Sequence, residues 1–164
     1  MKIILSPSKK LEFVAAGNKK YSQPSFIGDS KELLNKLKEL TVDDIASLMS
    51  LSDKLAKLNY DRFQEMTFPF DNKNASRAID CFKGDVYDGL DGENFSDEDL
   101  DFAQDNLRII SGLYGLLRPL DLIQPYRLEM GTKFENDRGK NLYQFWGNKI
   151  TDSLNSAIAN DNDD

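Results

Sequence analysis

Two short stretches bring arginine and carboxylate side chains close together in the sequence. Arg118 precedes Asp121 by three positions, and Arg127 precedes Glu129 by two. Each arginine can hold its carboxylate in a structural ion pair, or turn its guanidinium toward an anionic ligand. In the second case the two arginines would form a basic rim together with three lysines: Lys9, Lys10 and Lys133. The residue types leave both alternatives open.

The sequence lacks the residues that several common kinds of catalytic and metal site require. The chain contains no histidine and one cysteine, Cys81. Ser-His-Asp and Cys-His catalysis, and zinc sites built from Cys and His, are therefore excluded. Asp85, Asp88 and Asp91 stand three apart, which does not match the alternate ligand positions of a calcium-binding EF-hand loop. Cys81 has apolar neighbours, so we expect a buried, inert thiol. We predict no cofactor, no metal centre and no enzyme activity.

Residues 43–63 have the pattern of a helix-hairpin-helix, two short helices that meet at a tight turn. Such a hairpin binds duplex phosphates through backbone N–H groups at the N-terminus of the second helix. The usual hairpin glycines are missing and Asp53 stands where a phosphate would lie, so a simple packing corner is the alternative. The candidate DNA contacts of the hairpin are two hydroxyls and three cations: Ser50, Ser52, Lys54, Lys57 and Arg62.

Hydrophobic spacing and capping residues predict the elements that must position these side chains. We expect a short buried strand at 1–6 and another strand at 107–111. Glycines predict a loop at 84–92, and 126–134 is expected to be a strand broken by glycine. Residues 160–164 are polar and acidic, and we expect a disordered tail there. Helices are predicted at 29–40, 41–49, 52–63, 74–82, 96–106 and 141–159.

Length and composition are those of one ordinary domain. The 164 residues are 40% hydrophobic and carry a net charge of −7. No run approaches the roughly 18 apolar residues of a membrane-spanning helix, and a single cysteine fits a reducing compartment, so we predict a cytoplasmic protein without a membrane partner. Residues 80–105 hold ten acidic groups and one basic group, whereas 1–79 and 106–151 are mildly basic. Either the acidic residues are simply solvated, or the fold separates them from a basic cleft.

Five motifs resemble one known family along almost the whole chain. The longest, from Leu107 to Lys133, contains Ser-Gly-Leu-Tyr-Gly-Leu-Leu-Arg-Pro-Leu-Asp and Tyr-Arg-Leu-Glu-Met-Gly. The family is the YaaA family of peroxide-stress resistance proteins. Its usual opening is Ser-Pro-Ala-Lys-Thr-Leu, where this chain has Ser8 and Lys10. The other four motifs are Ser6–Leu11, Leu48–Asn59, Phe82–Asp91 and Asn141–Gly147.

The resemblance implies a mixed α/β (α+β) fold of its own type with a helix-hairpin-helix, which we place in a single domain over 1–159. It also implies a cytoplasmic bacterial protein of the peroxide response that helps limit free iron and Fenton damage. A positively charged cleft would bind DNA, and we assign to it four residues: Lys9, Arg118, Arg127 and Lys133. Family members continue with a further segment rich in Lys and Arg, so we expect a C-terminally truncated domain, and a monomer.

Two alternatives to DNA binding follow from the residues. The carboxylates of 80–105 could hold Fe(II) weakly through hard oxygen ligands. A cleft enzyme could instead use Lys9 or Arg127, with Asp121 or Glu129 as acid or base. We rank the binding of duplex or distorted DNA above both.

Overall fold

Short strands form two small sheets in the computed structural model, which describes residues 1–161. The larger sheet has three strands and the smaller has two. The strands within these residues are β1 (Ile3–Leu5), β2 (Ser76–Arg77), β3 (Leu107–Ser111), β4 (Gly115–Leu117) and β5 (Leu122–Ile123).

The larger sheet joins the start of the chain to its middle. β1 runs parallel to β3, with Ile3 opposite Leu107, and β3 runs antiparallel to β4, with Ile109 opposite Leu117. β2 and β5 pair antiparallel in the smaller sheet. The parallel pairing places the carboxyl ends of β1 and β3 at the same edge of the sheet.

Helices supply most of the remaining structure, and several begin at the caps that the sequence predicts. Thr41 and Asp44 form a reciprocal capping box, as do Ser96 and Asp99, and the Ser52 hydroxyl accepts a hydrogen bond from the Leu55 N–H. The helices are α1 (Ile27–Lys38), α2 (Val42–Met49), α3 (Asp53–Glu65), α4 (Ala78–Cys81), α5 (Asp85–Leu90), α6 (Asp97–Asn106), α7 (Leu142–Trp146) and α8 (Lys149–Ala159).

One main hydrophobic core packs helices against both sheets. Tyr114 is fully buried at its centre, and its hydroxyl donates to the Gln124 carbonyl at 3.0 Å. Trp146 is also buried, and its indole N–H donates to the Gly112 carbonyl at 2.9 Å. The predicted mixed α/β fold is therefore confirmed.

Several predicted elements are wrong in detail. The strand at the start of the chain is exposed rather than buried, with Ile3 39% and Ile4 50% exposed, because β1 is an edge strand paired only to β3 among the described residues. The predicted loop at 84–92 contains helix α5, which Tyr87 anchors by stacking on Phe82 at 5.3 Å. Residues 126–134 form no strand, although burial alternates along their first half.

The C-terminal part also differs from its prediction. The helix expected at 141–159 is two helices, because Gly147 has a φ of 51° and a ψ of −123° and ends α7. In the predicted tail, the Asp161 carboxylate pairs with the N-terminal amine at 2.7 Å and with Lys2. The rest of the predicted tail, 162–164, lies outside the described residues.

Candidate nucleic-acid interface

A pocket of about 250 Å³ lies at the carboxyl ends of β1 and β3. The loop after β1, the end of β3 and the segment 126–130 enclose it. We call it the strand-end pocket. In α/β sheets the carboxyl ends of parallel strands are the usual place for ligands. The surface of the pocket is mostly apolar, although charged side chains also line it. The lining residues are Pro7, Ser8, Lys9, Ile110, Gly112, Tyr126, Arg127, Leu128, Glu129 and Met130.

A second cavity, of about 360 Å³, lies where α2 meets α3. We call it the junction pocket. Arg127 and Glu129 line this cavity as well as the strand-end pocket, so the two are adjacent. The remaining lining residues come from the end of α2 and from the loop after Met130: Leu48, Met49, Ser50, Gly131, Thr132 and Lys133. The fold thus brings Ser50 of the predicted hairpin to Arg127 and Lys133 of the predicted cleft.

The charges around Glu129 are loosely paired. Its Oε1 atom lies 3.4 Å from Lys9 Nζ and 3.5 Å from Arg127 Nη2, longer than the roughly 2.7–2.9 Å of a strong charge-assisted hydrogen bond. Two cations therefore share one half-exposed carboxylate, and exposed Lys133 adds a third positive charge nearby. Neither cation is thus held by Glu129 in a short, strong ion pair.

The turn between α2 and α3 is made without glycine. Ser50 ends α2 in the left-handed conformation, with φ 52° and ψ 50°, and the Leu51 N–H donates to the Ala46 carbonyl at 3.0 Å. Ser52 then caps α3. The Ser50 side chain is exposed and lines the junction pocket, whereas the Ser52 hydroxyl accepts the capping hydrogen bond from the Leu55 N–H of α3.

These two serines are expected to respond in opposite ways to substitution. Ser50→Gly removes the Cβ penalty of a left-handed residue and should raise the free energy of unfolding by about 0.5 kcal/mol. Ser52→Ala removes a helix cap and should lower it by about 1 kcal/mol. Urea denaturation of both variants measures the two shifts, and a loss of stability in Ser50→Gly would contradict the assigned turn.

The remaining candidates from α3 lie outside both pockets. Lys54 and Lys57 are exposed, and Lys57 pairs with Asp61 one helical turn away. Arg62 is half-buried and donates to the Leu11 carbonyl and to Asn59 Oδ1, each at 3.4 Å. Burial lowers the pKa of Arg62. The structure thus places Arg62 apart from both pockets, in contacts within the fold.

Arg118 also lies outside both pockets, where it clamps a buried carboxylate. Its guanidinium donates to Asp121 Oδ1 at 2.9 Å and to the Gln23 carbonyl at 2.9 Å. The Asp121 side chain is fully buried and also accepts from the Ser22 hydroxyl and the Arg118 N–H. Burial raises the pKa of Asp121 although these donors oppose the shift. Asp121 is thus committed to these donors and lies outside both pockets.

The acidic residues of 80–105 serve several structural roles. Asp80 is buried against Arg77, with Nε to Oδ2 at 2.7 Å, and Asp99 caps α6. Lys20 pairs with Asp101 at the edge of a separate cavity. Within residues 1–161 no three His, Cys, Asp or Glu side chains are grouped so that they could hold a metal ion.

Cys81 is buried, and burial raises the pKa of its thiol to about 12. At neutral pH almost none of it is the thiolate that reacts with peroxide. No helix within the described part of the chain is long and apolar enough to cross a bilayer.

The sequence predicts the cations of the site but misses its apolar walls. Ile110, Leu128 and Met130 come together only because β1 and β3 pair in parallel across about a hundred residues of chain. The available signal is that two predicted strands both end just before polar, glycine- or proline-containing segments.

Comparison with known proteins places these residues in a family. A family model described as "Peroxide stress protein YaaA" matches residues 1–164. Similar proteins, each named only "UPF0246 protein", occur in Teredinibacter turnerae (55% identical over 159 residues), Saccharophagus degradans (56% over 159) and Colwellia psychrerythraea (54% over 165). These alignments cover 96%, 96% and 100% of this chain but 62%, 62% and 64% of the relatives. The chain therefore spans less than two thirds of the length of these curated relatives. Since the family model matches its whole length, the chain belongs to the YaaA family of peroxide stress proteins.

Proposed function

We propose that this chain binds duplex or distorted DNA through the surface around the two adjacent pockets, and that it acts in resistance to peroxide stress. It does so in the cytoplasm, as a binding protein rather than an enzyme, and helps to limit iron-driven damage. The observation that supports this most is that Arg127 lines both pockets, so that Ser50, Lys133 and Lys9 meet around one arginine.

The chemistry of this surface suits a phosphate backbone. Lys9, Arg127 and Lys133 provide three positive charges against the single carboxylate of Glu129. The exposed Ser50 hydroxyl adds a hydrogen-bond donor at the helix junction. Such groups position a protein on DNA without reading its sequence, so binding should be salt-dependent and weakly sequence-specific.

The neighbouring residues favour this proposal over its two alternatives. The buried Cys81 thiol, with its raised pKa, argues against direct chemical removal of peroxide by this cysteine. Iron handling by the carboxylates of 80–105 gains no support, because Asp80 and Asp99 are already committed to buried or capping contacts. An enzyme would have to rely on Lys9, Arg127 and Glu129 alone, since Asp121 is held by Arg118.

Fluorescence anisotropy with labelled duplex DNA over a salt series tests the proposal. The triple variant Lys9→Ala, Arg127→Ala, Lys133→Ala should bind at least tenfold more weakly at low salt. Its slope of log affinity against log salt should fall by up to about 2.7, because each lost phosphate contact removes about 0.9.

The matched control removes three exposed lysines that line neither pocket: Lys31, Lys73 and Lys140. It changes the net charge by the same amount, so it should lose far less affinity than the pocket variant. Equal losses would show that only net charge matters and would refute the interface. The double variant Lys54→Ala, Lys57→Ala tests separately whether the exposed lysines of α3 contribute to DNA affinity.

The longer relatives extend the same experiment. If the Teredinibacter turnerae protein binds DNA and this chain does not, the affinity lies in the part of the relative that this chain does not span. If both bind with similar salt slopes, the interface lies within the shared region.

A further inference from the structure

The strand-end pocket has features that backbone binding does not need. A phosphate surface requires exposed cations, but this pocket is a concave, largely apolar space of about 250 Å³ behind them. Its volume lies just below the roughly 300–1,000 Å³ of pockets that hold drug-sized ligands. It therefore suits a small group with apolar faces rather than a charged phosphate of the DNA backbone.

The rim of the pocket adds a second requirement for the ligand. Lys9 and Arg127 both line the pocket, and Glu129 holds each of them only loosely, at 3.4 and 3.5 Å. Lys9 is exposed, so its ammonium can reach an anion outside the pocket. A ligand that satisfies both parts has an aromatic ring, whose faces can pack on the apolar lining, joined to an anionic group by a short linker.

A nucleotide meets both requirements, since a base is joined to its phosphate through one sugar. We propose that the strand-end pocket receives the base of a single nucleotide whose phosphate lies against Lys9 and Arg127. If the nucleotide is part of DNA, this inference rests on the proposed function and adds a base-binding site to it. The nucleotide can then be one extruded from a duplex, which costs least at a mismatched base. The same chemistry is offered by a free mononucleotide.

Filling the pocket tests the inference. Met130 and Ile110 are partly buried wall residues, and Met130→Trp or Ile110→Trp each places an indole in the space meant for the base. Two independent variants guard against one of them failing to fold. Val86→Trp is the matched control, because Val86 is an exposed apolar residue, 54% accessible, that lines neither pocket.

The probes are a fully paired duplex, a duplex with one mismatch, and the mismatched duplex with 2-aminopurine at the unpaired position. The wild type should bind the mismatched duplex about tenfold more tightly than the paired one, with a change in 2-aminopurine fluorescence on binding. In the pocket-filling variants this affinity ratio should fall to about one and the fluorescence change should disappear. Val86→Trp should behave as the wild type.

Deoxyadenosine monophosphate, added by titration calorimetry, separates the two sources of the nucleotide. Binding that the pocket-filling variants abolish, without any mismatch preference, assigns the pocket to a free nucleotide. An unchanged mismatch preference in the filled variants, or a wild type with neither mismatch preference nor binding of the mononucleotide, overturns the inference. If the wild type binds none of the duplexes, the proposed function is overturned instead. The mononucleotide titration would then still show whether the strand-end pocket binds a nucleotide.

Discussion

Replacing Gly112 with alanine is expected to lower the free energy of unfolding by about 3 kcal/mol and to weaken DNA binding as much as Arg127→Ala does. A Cβ atom at Gly112 would lie 2.1 Å from the Leu128 carbonyl oxygen and 3.1 Å from the Glu129 carbonyl carbon. Backbone atoms cannot yield as a flexible side chain does, so the segment that carries Arg127 and Glu129 must move. Overpacking of this kind typically costs about 1–3 kcal/mol, and a backbone obstacle lies at the upper end.

The matched control is Gly28→Ala. Gly28 lies in the first turn of α1, and a Cβ there meets no heavy atom within 4 Å. Alanine is a better helix former than glycine, so this variant should gain up to about 1 kcal/mol and bind DNA as the wild type does. Urea denaturation and the anisotropy assay measure both effects. Wild-type stability in Gly112→Ala would show that segment 126–130 is not held in place by this contact.

Gly112 also illustrates which part of the fold is readable from the sequence. The boundaries of α2, α3 and α6 follow from local signals, because Thr41, Ser52 and Ser96 cap helices whose apolar residues recur at helical spacing. These signals act within four residues and need no knowledge of the rest of the fold. The contact between Gly112 and Leu128 depends on how the end of β3 packs against segment 126–130, and no local sequence pattern predicts it.

Glycine proves an ambiguous signal elsewhere in the chain. Gly84 and Gly89 together suggest a loop, but only Gly84 has a positive φ, of 111°, and it precedes α5. Gly89 lies inside that helix with open space around it. Gly147, by contrast, does end a helix, which splits the single predicted helix at 141–159. The sequence shows where glycines are but not which backbone conformation each adopts.

The two arginine–carboxylate pairs show the same limit at the site. Their sequence spacing is nearly the same, and residue type alone allows either to be a clamp or a binding group. Burial of the carboxylate separates them, because the Asp121 side chain is fully buried whereas that of Glu129 is 49% exposed. Arg118 is therefore required by a buried charge, while the partner of Arg127 is a carboxylate that water can solvate, although the Arg127 side chain itself is only 19% exposed.

This difference predicts opposite outcomes for the two arginines. Arg118→Ala should lower the free energy of unfolding by about 2–3 kcal/mol at neutral pH and leave DNA affinity unchanged. Removing one partner of a buried ion pair costs about 3–5 kcal/mol, reduced here because the Arg118 side chain is 35% exposed. Arg127→Ala should cost about 1 kcal/mol of stability, through lost packing of its largely buried side chain, and should weaken DNA binding. Urea denaturation measures the change in stability of both variants, and fluorescence anisotropy measures their change in DNA affinity.

The pH dependence of Arg118→Ala distinguishes a lost ion pair from general loss of packing. Burial already raises the pKa of Asp121, and without the guanidinium that pKa should rise further above its unfolded-state value. A carboxyl with a raised folded pKa is tolerated when protonated and destabilises the fold as the pH rises through that pKa. The cost of the substitution relative to wild type should therefore be smaller at about pH 5 than at about pH 7.5. A cost that is the same at both pH values would mean that Arg118 stabilises the fold by packing alone, and the buried charge of Asp121 would not be what distinguishes the two arginines.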